Sequence, residues 1–278
     1  RRYKGRMPEL SRHIAACNNA FLPGARVPFR LDGVQVGWVL PSFASALRAQ
    51  GATPDRDGVT LPVVSLEEVA RTLSGAGHYR WRGEAFDVRA DPDGPALAQI
   101  DRGALPAFGI QATGVHLNGL VARADGLWVW VARRAADKLL DPGKLDHIVG
   151  GGVPAGLTPW KTLAKEAAEE AAIPAALIQH AQPVAVLSYA MDRPEGLRRD
   201  RLHCYDLMLP DAFVPQPVDG EVEAFELWPM LRVLDRVRDT DDFKFNVALV
   251  LIDMGLRHGL LGGDEARRLR AALDAPAS

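Results

Sequence analysis

The chain has 278 residues, of which 47% are hydrophobic and 24% charged, and its formal net charge is −2. This length allows one large or two ordinary domains with a real core, and the composition is typical of a soluble globular protein. The charge gives no electrostatic argument for a nucleic-acid partner, and no run approaches the roughly 20 apolar residues of a membrane span.

The first residues do not resemble a signal peptide, because several basic residues are followed by a mixed polar segment and not by an apolar core. Cys17 and Cys204 are too few and too far apart in sequence to predict a disulfide framework. We therefore expect a cytoplasmic protein. The sequence does not specify an oligomeric state.

The first third of the chain is predicted to be a compact α/β module without recognisable chemistry. Strands are expected within residues 26–40, and a hairpin is expected to pair residues 79–82 with 85–89. Helices are expected over residues 9–18, 42–50 and 65–74. Ser65, with Glu68 three residues later, predicts a capping box at the start of the last helix.

The stretch DPDGP at residues 91–95 breaks regular structure and indicates a domain junction before Phe108. We therefore predict two domains, at residues 1–107 and 108–278. Paired strands are expected at residues 114–120 and 127–133, with Trp128 and Trp130 on one face because side chains alternate along a strand.

Two basic side chains lie at or just beyond the end of the second strand of this pair. Arg133 and Lys138 are candidates for binding substrate phosphates, and a solvated loop is the alternative interpretation.

A helix is predicted to begin at Thr158 and Pro159, since threonine can cap the first turn and proline fits the first helical position. Three carboxylates follow within an arc of roughly 100°. They are Glu166, Glu169 and Glu170. Like charges at this spacing repel each other, and a divalent cation would offset the repulsion more than Lys165 can by pairing with Glu169.

A triple glycine, Gly150 to Gly152, precedes this helix and follows a short predicted strand at residues 146–149. We interpret it as a turn whose backbone can offer carbonyls to a metal or amides to a phosphate, so Gly151 and Gly152 are candidate substrate-binding residues. A purely structural turn is the alternative.

Beyond the helix, strands are predicted at residues 183–189 and 202–209, joined by a basic loop at 192–200. Arg198 in this loop is a candidate phosphate ligand, although surface charge alone would look the same. A strand at 224–228 and two covering helices at 245–258 and 264–273 complete the chain.

The segment from Gly150 to Ile173 resembles the Nudix box: glycine, five residues, Glu, seven residues, then Arg-Glu-apolar-any-Glu-Glu-any-Gly-apolar. The matching positions are Gly151, Glu166, Glu169, Glu170 and Ile173. Three positions depart from the pattern. Leu157 replaces a glutamate, Lys165 replaces arginine and Ala172 replaces the last glycine.

The resemblance implies a mixed-sheet α/β/α sandwich, preceded here by a smaller α/β domain. It also implies a diphosphate hydrolase that uses Mg²⁺ or Mn²⁺. The metal ligands would be Glu166, Glu169, Glu170 and Glu221. Either Glu166 or Glu169 would be the general base, and Glu223 is the rival to Glu221 for the loop position.

The likeness extends to a narrower branch that carries the uncharacterised N-terminal domain DUF4743 and is related to the Nudix domain fused to yeast-type thiamine pyrophosphokinases. It extends over the following residues: Lys138, Pro142, Gly143, Leu145, Asp146, Tyr205 to Leu207, Asp219 to Val222, Phe243, Lys244, Asn246 and Ala248. This branch implies a small-molecule substrate, thiamine diphosphate or its oxidised or damaged forms, cleaved to the monophosphate and phosphate.

Two alternatives stay open at this point. The first is another Nudix enzyme, either an isomerase or a hydrolase of a nucleoside diphosphate linked to a further group. The second is a binding module whose catalysis has decayed, which is suggested by Leu157, Lys165 and Ala172.

Overall fold

The computed structural model describes residues 9–137 and 140–275. Within the N-terminal part the elements are α1 (Ser11–Cys17), β1 (Val27–Leu31), β2 (Val34–Val39), α2 (Pro41–Ala49), β3 (Thr53–Asp55), β4 (Gly58–Leu61), α3 (Leu66–Gly75), β5 (Ala85–Val88), β6 (Ala98–Asp101) and α4 (Leu105–Phe108). The remaining elements are β7 (Gln111–Arg123), β8 (Gly126–Arg134), β9 (Leu145–His147), β10 (Val149–Gly152), α5 (Pro159–Ala171), α6 (Ala175–Ile178), β11 (Gln182–Arg193), β12 (Gly196–Met208), β13 (Val222–Pro229), α7 (Met230–Asp239), α8 (Val247–Arg257) and α9 (Gly263–Leu273).

The N-terminal part is built on a four-stranded sheet in the order β2-β1-β4-β3, in which β1 and β4 run parallel. Apolar side chains from α2, α3 and α4 pack with this sheet into one core, to which the separate β5-β6 pair contributes Phe86 and Val88. The predicted small α/β module is confirmed. Helix α1 is the exception, because Leu10, Ile14 and Cys17 pack into the core that contains α8.

The predicted hairpin between residues 79–82 and 85–89 is wrong. Strand β5 pairs instead with β6, which follows the turn at residues 91–95. The carboxylate of Asp101 accepts hydrogen bonds from the backbone amides of Arg82, Gly83 and Glu84 at 2.7–3.2 Å. This segment therefore wraps around a side chain instead of forming a strand. The predicted capping box is also absent, since the Ser65 side chain makes no cap hydrogen bond.

The second part is a seven-stranded mixed sheet covered by helices on both faces. The strands follow the order β11-β12-β7-β8-β13, with β10 added to β7 and β9 to β8, and β12 runs parallel to β7. Helices α5 and α6 pack on one face, while α1, α7, α8 and α9 pack on the other. The predicted α/β/α sandwich is therefore confirmed. Trp128 and Trp130 share a face, as predicted, and the structure shows that it is the α5 side.

Two segments predicted as loops or turns belong to strands. Residues 192–200 form the tip of the β11-β12 hairpin, so Arg198 lies in β12. All three residues from Gly150 to Gly152 lie in β10 and pair with β7, and the chain turns only afterwards, at residues 155–156. None of the helices among the residues that the structure describes is long and apolar enough to span a membrane.

Helix α5 begins where the sequence predicts. Thr158 adopts an extended conformation, and its hydroxyl accepts a hydrogen bond from the Lys161 amide at 3.2 Å. The helix ends at Ala172, whose φ of 52° lies in the left-handed region. A side chain in this region costs roughly 1–2 kcal/mol, so the replacement of the family's glycine by alanine leaves strain at the end of the helix.

We expect Ala172→Gly to stabilise the protein by about 0.5–1 kcal/mol, because relief of the left-handed strain outweighs the greater freedom of glycine in the unfolded chain. Thermal or urea unfolding of the two proteins measures this difference. Ala168→Gly, at an exposed position inside α5, is the matched control and should destabilise by about 1 kcal/mol. Equal destabilisation by both changes would contradict the assignment of strain to Ala172.

Candidate metal centre

The candidate site is formed where α5 packs against the glycines of β10. The Gly150 amide donates a hydrogen bond to Glu170 Oε2 at 3.0 Å. A Cβ atom on Gly151 would lie 3.1 Å from Cγ and Cδ of Glu166, tighter than an ordinary van der Waals contact. Glycine in a strand often marks such a close approach. The absence of a side chain at Gly151 thus lets Glu166 lie against β10, while Glu170 is held by the backbone amide of Gly150.

A second segment adds carboxylates to this position. Asp219 and Glu221 lie on a turn before β13, where Asp219 Oδ1 accepts the Glu221 amide at 2.8 Å and Gly220 takes a φ of 79°. Glu170, Asp219 and Glu221 each place one carboxylate oxygen within 4.8 Å of the others. Clustered carboxylate oxygens are the ligand type that Mg²⁺ and Mn²⁺ prefer.

Burial makes a negative charge on Glu170 unfavourable without a cation. Glu170 is only 6% exposed, and its pKa is raised well above its usual value by burial and by the nearby Asp146, Glu166 and Glu221 carboxylates, against the Gly150 hydrogen bond. Burial also raises the pKa of Glu166, despite the opposing charge of Lys165. A divalent cation would relieve both costs, so the residues present fit a metal.

Glu169 occupies a different environment from its two neighbours on α5. Its side chain is 49% exposed, and its Oε2 lies 2.6 Å from Lys165 Nζ. Lys165 Nζ also lies 3.4 Å from Glu166 Oε1. The ion pair expected between Lys165 and Glu169 is therefore present. The role of Glu169 as a metal ligand stays a prediction.

The predicted phosphate-binding arginines do not meet at this cluster. Arg133 lies on the α7 side of β8, where it donates to the Gly143 carbonyl at 3.2 Å and lines a cavity of about 450 Å³ with Trp228 and Arg232. Val131 packs into the core on the α7 side. Because side chains two residues apart in a strand face the same side, Arg133 lies on that side as well.

Arg198 also faces the α8 side of the sheet. Its Nε donates to Asp200 Oδ2 at 2.8 Å and to the Tyr189 hydroxyl at 3.2 Å, and its guanidinium lies 5.4 Å from the centre of the Phe245 ring. These contacts give Arg198 a structural role between the sheet and Phe245, which precedes α8. Lys138, the third predicted cation, lies outside the described residues.

Sequence reasoning missed Asp219 as a possible ligand. The signal that could have found it is the Asp-Gly-Glu order, since a glycine with positive φ can turn two acids toward one point.

It also missed a buried cluster behind Gly150, where His116 Nδ1 and His147 Nδ1 lie 3.0 Å apart. Asp146 beside them already has two cations, Arg134 Nη1 at 2.7 Å and Lys244 Nζ at 3.6 Å. This second cluster therefore needs no metal for charge balance.

Comparison with known proteins identifies a family for each part of the chain. Residues 114–247 match the NUDIX domain model, and residues 9–112 match a domain of unknown function, DUF4743. The chain is 36% identical over 259 residues to Nudix hydrolase 20, chloroplastic, of Arabidopsis thaliana, covering 86% of this chain and 69% of that protein.

Two further matches are more limited. The chain is 42% identical over 180 residues to Nudix hydrolase 24, chloroplastic, of the same plant, but this match covers 65% of the chain and only 49% of the relative. A crystal structure of a Deinococcus radiodurans protein is similar at 22% identity with a TM-score of 0.47, covering 60% of this chain and 97% of that one.

The fold is an α/β/α sandwich in which Glu166 and Glu170 of α5 lie against the glycines of β10, with Asp219 and Glu221 beside Glu170. The chain belongs to the Nudix hydrolase family, as the match to the Arabidopsis relative shows. Its N-terminal part carries the DUF4743 domain. Nudix enzymes act on small molecules and generally use divalent metal ions.

We expect Glu170→Gln to stabilise the metal-free protein at pH 8, raising its Tm by roughly 2 °C or more. The pKa of Glu170 is higher in the folded protein than in the unfolded chain, so protonated Glu170 favours the folded state. This contribution to the free energy of unfolding is complete below the ordinary glutamate pKa and is lost as the pH rises through the folded-state pKa. Glutamine stays neutral and can still accept from Gly150. Thermal unfolding in EDTA from pH 5 to pH 8 tests this.

The same variant should lose most of the Tm increase that Mg²⁺ or Mn²⁺ gives the wild type, since a ligand that binds the folded state stabilises it. Glu68→Gln, at an exposed position on α3, is the control and should behave as wild type in both conditions. A Glu170→Gln protein that is less stable than wild type in EDTA at pH 8 would contradict the inferred electrostatic cost.

Proposed function

We propose that this protein hydrolyses a small-molecule diphosphate with Mg²⁺ or Mn²⁺. The observation that carries this proposal is the convergence of Glu170, Asp219 and Glu221 within 4.8 Å beside Glu166. Two of these acids lie on an exposed turn, so the site is open to a ligand, while Glu170 anchors it against the sheet.

The mechanism follows from the charge of the substrate. A diphosphate repels nucleophiles, and a bound divalent cation neutralises its oxygens and the leaving phosphate. Glu170, Asp219 and Glu221 would hold the metal, with Glu169 as a further predicted ligand. Glu166 accepts the proton of the attacking water as the new P–O bond forms and the bond to the bridging oxygen breaks.

Glu166 is the better candidate for the general base of the two that the sequence leaves open. Its half-buried carboxylate has a raised pKa, which brings it closer to the working pH of a base. Glu169 is exposed, and its carboxylate is paired with Lys165 at 2.6 Å.

For the substrate, we propose thiamine diphosphate or its oxidised or damaged forms, cleaved to the monophosphate and phosphate. The support is the resemblance of the chain to the thiamine-linked Nudix branch at the residues around the box and at Phe243, Lys244 and Asn246. A nucleoside diphosphate linked to another group is the alternative substrate class.

The departures from the Nudix box do not favour a decayed binding module. Leu157 packs partly buried against the core under α5, and Lys165 keeps its ion pair with Glu169. Ala172 ends the helix in the left-handed conformation that glycine would take. Each replacement is thus accommodated while the acids stay in place.

Two further proposals accompany this function. The division between the domains lies near residues 107 and 108, and the protein functions in the cytoplasm. Cys17 and Cys204 are both buried free thiols, which is compatible with a reducing compartment.

We expect Glu166→Gln to lower kcat by roughly 100-fold or more, since a positioned base contributes about 10²–10⁴-fold. Glu169→Gln should lower it less. Phosphate release with Mg²⁺, measured on variants whose folding is checked by circular dichroism, makes the comparison. A Glu166→Gln enzyme with near wild-type kcat would remove the base assignment.

The substrate class is tested by a panel of thiamine diphosphate, its oxo and oxy analogues, ADP-ribose and a dinucleoside polyphosphate. We expect the highest kcat/KM for the thiamine compounds and its loss in Glu170→Gln. A higher kcat/KM for ADP-ribose would instead support the alternative substrate class, a nucleoside diphosphate linked to another group. Tight binding without metal-dependent turnover of any compound would instead support the binding module.

A further inference from the structure

Strand β10 contacts Glu166 and Glu170 of the site, but few side chains of its own fix its position. It is four residues long, pairs with β7, and three of its residues are glycine. Glycine contributes no side-chain packing and has the greatest backbone freedom. Because Gly150 binds Glu170 and Gly151 contacts Glu166, a displacement of β10 would displace both carboxylates.

The N-terminal domain supplies support on the other side of this strand. A Cβ atom on Gly152 would lie 2.5 Å from Cζ of Phe86, so the tip of the Phe86 ring rests on the bare backbone of β10. Successive residues of a strand face opposite sides, which places Glu166 against one side of β10 and Phe86 against the other. Phe86 is 3% exposed and belongs to the core of the N-terminal domain.

Two hydrogen bonds tie the same element, β5, to the turn that follows the glycines. The Ala155 amide donates to the Ala85 carbonyl at 2.8 Å, and the Gly156 amide donates to Asp87 Oδ2 at 3.3 Å. Asp87 is itself held by Arg89 at 2.7 Å. Three consecutive residues of β5 thus contact the segment between Gly152 and Gly156, which connects β10 to α5.

We propose that Phe86 is a positioning residue for the carboxylate site, and that the N-terminal domain acts through β5 as part of the catalytic unit. This inference rests on the proposed hydrolase function. Phe86 limits the movement of β10 away from α5, and so keeps Glu166 and Glu170 in the arrangement that catalysis requires. A displacement of about 1 Å in such a group can lower a rate by roughly 100-fold.

The first test replaces Phe86 by leucine in the full chain, which removes the ring tip but keeps an apolar side chain. We expect kcat to fall by roughly tenfold or more with a smaller change in KM, because Glu166 is proposed to act on the attacking water and Glu170 to hold the metal. Amide hydrogen exchange in residues 149–156 should become faster, which reports the loosened strand without any substrate.

Phe29→Leu is the matched control. Phe29 is fully buried in the same core and lies against Phe108, so its loss should lower Tm without changing kcat or the exchange of residues 149–156. If Phe86→Leu lowers Tm but leaves kcat and this exchange as in the wild type, Phe86 is only a core residue and the inference is overturned.

A double-mutant cycle tests the contact itself. Gly152→Ala places a methyl group where the ring tip lies, and should lower kcat at least as much as Phe86→Leu. In the double variant the shorter leucine leaves room for the methyl, so kcat should exceed that of Gly152→Ala alone. If the fold-decrease in kcat of the double variant equals the product of the two single fold-decreases, the two residues are not coupled and the inference is overturned.

These outcomes can be distinguished from failure of the proposed function. If the wild type hydrolyses no diphosphate in the panel, the hydrolase proposal fails, but the exchange of residues 149–156 still decides whether Phe86 holds β10. If the wild type is active and that exchange is unchanged in Phe86→Leu, the positioning role fails while the hydrolase proposal stands.

Discussion

The close approach of α5 to the three glycines of β10 is the constraint on which the rest of the site depends. Each of the three glycines from 150 to 152 meets a different neighbour. The Gly150 amide binds Glu170, Gly151 lies against Glu166, and Gly152 lies against Phe86. A side chain at Gly151 or Gly152 would force the backbone or its neighbour to move, since both approaches are closer than a Cβ atom normally allows.

Two of the buried acids, Asp146 and Glu170, are in opposite electrostatic situations. Lys244 and Arg134 hold the pKa of Asp146 below its usual value although burial opposes this. Glu170 has carboxylates around it, and its pKa is raised. The first acid is neutralised by the protein's own cations and belongs to the structure. The second is charged at neutral pH only at a cost, and this difference identifies which cluster a divalent cation would stabilise.

The two faces of the large sheet carry different groups of residues. The α5 face carries the acids of the candidate metal centre. The other face packs against α1, α7, α8 and α9, and it contains a buried polar network in which Arg198 bonds Asp200 and Tyr189. Helix α1 joins the core that contains α8, and strand β5 contacts β10 and the turn that follows it. The DUF4743 domain is therefore integrated with the hydrolase fold at two places.

The sequence by itself determined the features that depend on neighbours along the chain. It determined the start of α5 at Thr158 and Pro159, the spacing of Glu166, Glu169 and Glu170, and the shared face of Trp128 and Trp130, because capping and side-chain periodicity are local. Only the tertiary structure decided that Asp219 joins Glu170, that Arg198 binds Asp200 and Tyr189, and that Phe86 contacts Gly152. These contacts join segments far apart in sequence, and a glycine run has no side-chain pattern to distinguish an edge strand from a turn.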